Sequence, residues 1–269
     1  MTIWAPDIRR TMQAELEEVA QNAPGHWGFA VRESGEMIAA VNADDVMVPA
    51  STIKVAVLVL TLQEVAAGRL GWDQLLPIPD PDRRVGGSGV LVWMPNVTEL
   101  SVAEIAELMI VVSDNEATNI LMRLLGVETL DGRLAQIGVQ HTQLQRTLME
   151  THLPGRNRTT AADQALLLDL VCGDLLPPEQ RQIALDVLGR QQFRSRIPGR
   201  IAQEVTVGNK TGSIEGIRHD VAILEFDGRQ VVFAALGSDL HDALASGGDT
   251  PVDDIVARAA QRVVQLARA

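Results

Sequence analysis

The chain of 269 residues has no tyrosine, four phenylalanines, four tryptophans and one cysteine. So few aromatic faces offer little to a base-stacking platform. A net charge of −12 is also the wrong sign for a phosphate-backbone binder, so no nucleic-acid partner is expected. Cys172 alone excludes an intrachain disulfide, and in "LLLDLVCGD" it reads as a small hydrophobe at a helix end. The five histidines (His26, His141, His152, His219 and His241) form no H-E-x-x-H and no paired ligand spacing, so no metal and no cofactor is expected. Long apolar runs are missing too. "VAVLVL" at 55–60 falls far short of a membrane span. The N-terminus lacks the apolar core and cleavage site of a secretory signal. As written the chain reads as soluble and cytoplasmic, or as periplasmic or secreted if an export signal preceded it.

The most informative scarcity is lysine. Only Lys54 and Lys210 occur among 23 basic residues, all the others being arginine. Arginine stays protonated at any working pH, whereas a buried lysine can shed its proton and act as a base. Two positions that kept an amine while all others took guanidinium point to chemistry.

What is present suffices for a large core, since 46% of residues are hydrophobic. Residues 7–21 read as an amphipathic helix, and "HWGFAVRE" and "EMIAAVNA" as strands joined at "SGE". From Ser51 to about Gly189 the pattern is helical: 51–70, "SVAEIAELMIVV", "EATNILMRLL", "AADQALLLDLVC" and "PEQRQIALDVL". Strand signals return at "AQEVTVGNKTG", "DVAILEF" and "QVVFAALGS", the last two joined by Asp227-Gly228, and a helix over 251–268 closes the chain. This order predicts a mixed α/β (α+β) fold. Residues 1–45 and 195–269 would form an antiparallel sheet domain flanked by the terminal helices, and residues 46–194 a mostly helical domain inserted between its halves. The active site is expected at their interface.

Three short motifs stand in order. In "ASTIK", Ser51 and Lys54 are three apart on one helix face, and the plainer reading of Ser51 is a helix cap. In "VVSDNEATNIL", Ser113, Asp114 and Asn115 separate two apolar segments, as a capping cluster would, or as a hydroxyl and an amide facing a cleft. In "VGNKTGSIEGIRHD", Lys210, Thr211 and Gly212 fall where a strand should begin, as a turn or as a carboxylate site beside a glycine that admits a ligand. S-x-x-K alone is expected about once by chance, but SDN and KTG each only at roughly the few-per-cent level. All three in order, holding both lysines, decide against coincidence.

With these motifs the chain resembles the class A serine β-lactamases and penicillin-binding-protein-like serine hydrolases over nearly its whole length. The resemblance implies a β-lactamase/transpeptidase-like fold and a small-molecule substrate, a β-lactam or related acyl compound. A monomer is expected. Ser51 would be the acylating nucleophile and Lys54 its base or proton relay, and Ser113 would protonate the leaving nitrogen. Asn115 would bind a substrate amide, and Lys210, Thr211 and Gly212 the carboxylate. The N–H groups of Ser51 and Ser213 would form the oxyanion hole. Arg218 would be a second carboxylate-binding arginine. Glu150, in an E-x-x-L stretch with Leu153, would be the deacylation base.

The resemblance departs in that loop. Pro154 stands where an asparagine is expected, and only four residues separate it from Thr159-Thr160. Leu148 and Arg158 replace an arginine–aspartate clasp, and Asn157 is a candidate substitute for the missing amide. The plainer reading of Glu150 is a solvated loop carboxylate. The alternative function is therefore a related serine esterase or peptidase-like acyl-transferase with poor β-lactam turnover. His219-Asp220 lacks the G-x-S-x-G elbow of a triad, and "GGSGVL" at 86–91 lacks the lysine of a phosphate loop, so it reads as a surface loop near the cleft. Trp93 is placed at the substrate entrance or in packing.

Overall fold

The computed structural model describes residues 4–269. Its elements in chain order are α1 (Pro6–Asn22), β1 (His26–Glu33), β2 (Glu36–Val41), α2 (Lys54–Ala66), β3 (Leu75–Pro77), β4 (Glu99–Ser101), α3 (Val102–Val111), α4 (Asn115–Leu125) and α5 (Val127–Gln136). Then follow α6 (Ala161–Cys172), α7 (Pro178–Gly189), β5 (Thr206–Ile214), β6 (Ile217–Phe226), β7 (Arg229–Ser238), α8 (His241–Gly247) and α9 (Asp249–Ala267). The long strands form one antiparallel sheet in the order β2-β1-β7-β6-β5, and β3 pairs with β4 apart from it.

Side-chain alternation along the sheet sorts two hydrophobic clusters. Trp27, Phe29 and Val31 of β1 and Val231, Phe233 and Ala235 of β7 pack with α1 and α9. The intervening Ala30, Val232, Ala234 and Leu236 join α2, α3, α4, α6 and α7. Phe29 stacks between Trp27 and Phe233, with ring centroids 5.8 and 6.0 Å apart. On α9, Val252, Val256, Ala260 and Val263 recur at helical spacing and are buried. The β6–β7 turn uses Asp227 and Gly228 at φ of 52 and 73°, the left-handed pair that a tight hairpin needs.

Two sequence expectations change. The helix expected over 51–70 opens as a 3-10 turn, Ala50–Ile53, and α2 ends at Ala66. Ser51 therefore sits in the tight turn before α2, and residues 54 to 62 are all buried, making α2 the central helix of the second cluster. The K-T-G motif lies in the second half of β5 instead of at a strand start, because β6 begins at Ile217, ahead of the apolar run at Val221.

Candidate active site

Three elements meet around Ser51: the 3-10 turn, the α3–α4 junction and β5. The turn is fixed from behind by His219. Gly237 N–H donates to its Nδ1 (3.0 Å), which leaves Nε2–H to donate to Val48 O (2.9 Å). Burial lowers the His219 pKa to about 4, so the ring is neutral and serves as a peg. Ala50 takes φ of 46°, a left-handed setting for a non-glycine residue that costs about 1–3 kcal/mol and orients the peptide leading into Ser51. β5 runs close alongside. A Cβ on Gly212 would lie 3.1 Å from Pro49 O and 3.2 Å from Ser51 N, so a side chain there would press the strand a few tenths of an ångström away from the nucleophile's backbone.

Lys54 and Lys210 are both wholly buried. Lys54 Nζ donates to Ser113 O (2.7 Å) and Asn115 Oδ1 (2.9 Å) and lies 3.1 Å from Ser113 Oγ. Lys210 Nζ also lies 3.1 Å from Ser113 Oγ and donates to Thr211 O (2.8 Å). Desolvation, and then the charge of Lys210, hold the Lys54 pKa well below its ordinary value, with Asp114 opposing. Desolvation brings Lys210 to about 7 against the pull of Asp220, with Arg196 lowering it further. A neutral Lys54 fits the geometry. Its two N–H groups meet two pure acceptors, and its lone pair faces the Ser113 hydroxyl, whose oxygen can accept from Lys210. The arrangement can pass a proton between two amines through one hydroxyl.

Asp114 builds the junction. Its Oδ1 accepts from Ala117 N–H (3.0 Å) as the cap of α4, and its Oδ2 accepts from Val90 (2.6 Å) and Leu91 (2.8 Å). The glycine-rich loop is thereby drawn against Asn115, whose Nδ2 donates to Gly86 O (3.0 Å) and whose N–H donates to Ser88 O (3.0 Å). Ser113, at φ of 57°, is a second strained non-glycine residue of the site. Trp93 is exposed and does not line the cleft.

Ser213 follows Gly212 on β5, and its Oγ accepts from Arg196 Nη2 (2.7 Å). Arg196 is buried, paired with Asp253 (2.7 Å) and bonded to Gly212 O (3.2 Å) and His219 O (2.7 Å). The sequence reading missed it, because nothing local in "FRSRIPG" marks a contact made across β5 and β6. Arg218 goes elsewhere: it pairs with Asp249 (2.5 Å), donates to Ile214 O (2.8 Å) and Ile217 O (2.7 Å), and does not line the cleft. The guanidinium beside Ser213 is that of Arg196.

The loop before α6 forms the far wall. Asn119 of α4 grips Leu148 through both backbone groups (2.7 and 3.0 Å), and Gln143 pairs with Arg158. Asn157 is tied into the loop, accepting from Gln145 (2.9 Å) and Arg146 (3.2 Å) N–H and donating to Arg146 O (3.0 Å), with one N–H of its amide left over at the wall of the cavity. Glu150 accepts from Thr147 Oγ1 and stands 3.8 Å from Arg123 Nη1. It is not among the residues lining the cavity of about 980 Å³ that holds Ser51, Asn115, Ser213 and Met149.

Residues 11–267 match a family model described as the Beta-lactamase enzyme family. The chain is 32% identical to Beta-lactamase AST-1 of Nocardia asteroides, over 93% of this chain and 81% of that protein. It is 29% identical to Beta-lactamase FAR-1 of Nocardia farcinica, over 95% and 82%. Among solved structures it superposes on an ancestral (GNCA) class A β-lactamase with a TM-score of 0.83 at 28% identity, covering 94% of this chain and 99% of that one. PBP-A gives 0.84 at 25% identity, covering 98% and 96%. With Ser51, Asn115 and Ser213 lining one cleft, Lys54 and Lys210 buried on either side of Ser113, and a match spanning almost its whole length, the chain belongs to the β-lactamase enzyme family.

Proposed function

We propose that this protein is a serine hydrolase of the class A type that opens β-lactam rings through an ester on Ser51. The observation that carries this reading is the buried Lys54–Ser113–Lys210 chain, in which desolvation favours a neutral amine beside a hydroxyl. In the reading, the Ser51 hydroxyl attacks the lactam carbonyl while the N–H groups of Ser51 and Ser213 receive the developing oxyanion. The proton leaves to Lys54, whose lone pair must first turn from Ser113 Oγ toward Ser51. Ser113 donates to the departing ring nitrogen and is refilled from the lysine side. Lys210 and Thr211 hold the substrate carboxylate, and Asn115 binds the acyl amide. No helix among the described residues is long and apolar enough to cross a membrane.

Hydrolysis of the ester needs a base for water, and Glu150 takes this role. Its hold on Thr147 and Arg123 must be exchanged first, and Pro154 supplies no amide to steady the water. Deacylation is therefore the slow half-reaction. A chromogenic cephalosporin mixed rapidly with the protein should give a burst of about one equivalent, followed by slower steady turnover. Ser51→Ala should give neither phase. Turnover retained by Ser51→Ala, or no ring opening by the wild type, would overturn the assignment.

A further inference from the structure

The loop wall of the cleft carries three arginines, Arg146, Arg156 and Arg158. None has a carboxylate within 4 Å among the described residues, although acidic residues outnumber basic ones 35 to 23. Most other arginines of this acid-rich chain are paired, as Arg32 is with Asp169 and Arg229 with Glu33. Arg146 donates only weakly, to Thr151 O (3.3 Å) and Leu153 O (3.5 Å). No aspartate or glutamate lines the cavity. The wall is also anchored: the Asn119–Leu148 and Gln143–Arg158 contacts and the Asn157 staple fix the loop backbone from which all three side chains project. Exposed Val46, Val48 and Ile214 add an apolar face to the same cavity.

Position gives this pairing a meaning. Ser51 lines the cavity but Lys210 and Thr211 do not, so it lies on the loop side of the nucleophile. A substrate with its carbonyl at Ser51 and its ring carboxylate toward Lys210 places its acyl substituent there. We propose that the site prefers acyl donors whose acyl substituent is an apolar group bearing a second carboxylate, held by Arg146, Arg156 and Arg158. The inference rests on the acyl-enzyme reading of Ser51. Exposed charge pairs are individually weak, but three like charges in a concave, acid-free wall sum to about a tenfold preference at low salt.

Benzylpenicillin and carbenicillin differ by one carboxylate on the benzylic carbon and make a matched pair. Their equilibrium binding to Ser51→Ala, followed by ligand-observed NMR, reads the preference without requiring acylation. Carbenicillin should bind about tenfold tighter at about 20 mM salt, with the gap closing as added salt screens the wall. Replacing Arg156 and Arg158 together by Gln should remove most of the carbenicillin advantage, while Arg83→Gln, outside the cleft, should leave it. Equal binding of the two compounds, binding of neither, or a preference that survives the double substitution would overturn the proposal. Should the wild type form no ester with either penicillin while Ser51→Ala still discriminates them, the acyl-enzyme reading fails and the anion preference stands.

Discussion

Lys54→Arg tests the role of the amine directly. The side chain is wholly buried, its N–H groups spent on Ser113 O and Asn115 Oδ1, its remaining face turned to Ser113 Oγ. A guanidinium there keeps a positive charge at every working pH and has no lone pair to offer. Losing a positioned general base typically costs about 10²–10⁴ in rate, or about 3–5 kcal/mol of barrier. The larger group also overpacks α2, at about 1–3 kcal/mol, which an ordinary domain stability of about 5–15 kcal/mol tolerates. Lys54→Met provides the control for size and charge, leaving two buried acceptors unpaired at about 1–3 kcal/mol each. The assay is the second-order rate of penicillin adduct formation by mass spectrometry, with circular dichroism on each variant to verify the fold. Both variants should fold and acylate at least a hundredfold more slowly. Acylation by Lys54→Arg within about tenfold of wild type would refute the base role, and a defect confined to the arginine variant would assign it to bulk.

Two further outcomes follow from the same geometry. With Lys210 brought to about 7 by burial, its ammonium fraction in the free protein falls as pH rises through neutrality, with Asp220 favouring the charge and Arg196 opposing it. kcat/KM for a carboxylate-bearing substrate should therefore decline above about pH 7, and Lys210→Arg should flatten that alkaline limb; an unchanged limb contradicts the assignment. Asp114→Ala removes a helix cap and orphans the N–H groups of Val90 and Leu91, so the urea midpoint should drop by the equivalent of about 3–5 kcal/mol. A loss below about 1 kcal/mol would show that Asp114 does not organise the loop.

Local chemistry made much of the fold legible. β1 ends at Glu33 because Ser34-Gly35 is a left-handed turn pair, and α6 begins at Ala161 because Thr160 caps it through Asp163 N–H. α5 escaped notice because Gly132 and mixed polarity blur its period, and α8 is only one exposed turn or two. The 3-10 start of the serine–lysine segment is set by His219 and β5, which lie far away in sequence. The site divides the same way. The three motifs carried Ser51, Lys54, Ser113, Asn115 and Lys210; Ser51 and Asn115 line one cleft, and Lys54 and Lys210 are buried against Ser113, with Lys54 also bonded to Asn115. Arg196 and Arg218 could not be told apart from sequence, since which guanidinium faces Ser213 depends on β5–β6 register and on Asp249 and Asp253. Glu150 is held by Thr147 of its own loop, with Arg123, a helix residue paired to Glu116, 3.8 Å away, and no motif marks either contact.

The most direct test of the account is an intact-mass time course of the wild type with a penicillin, beside Ser51→Ala. The account predicts an adduct of one penicillin mass on the wild type alone, accumulating before it decays as the lactam is consumed. An adduct that never decays would contradict hydrolysis at this site, and an adduct on Ser51→Ala would contradict Ser51 as the nucleophile.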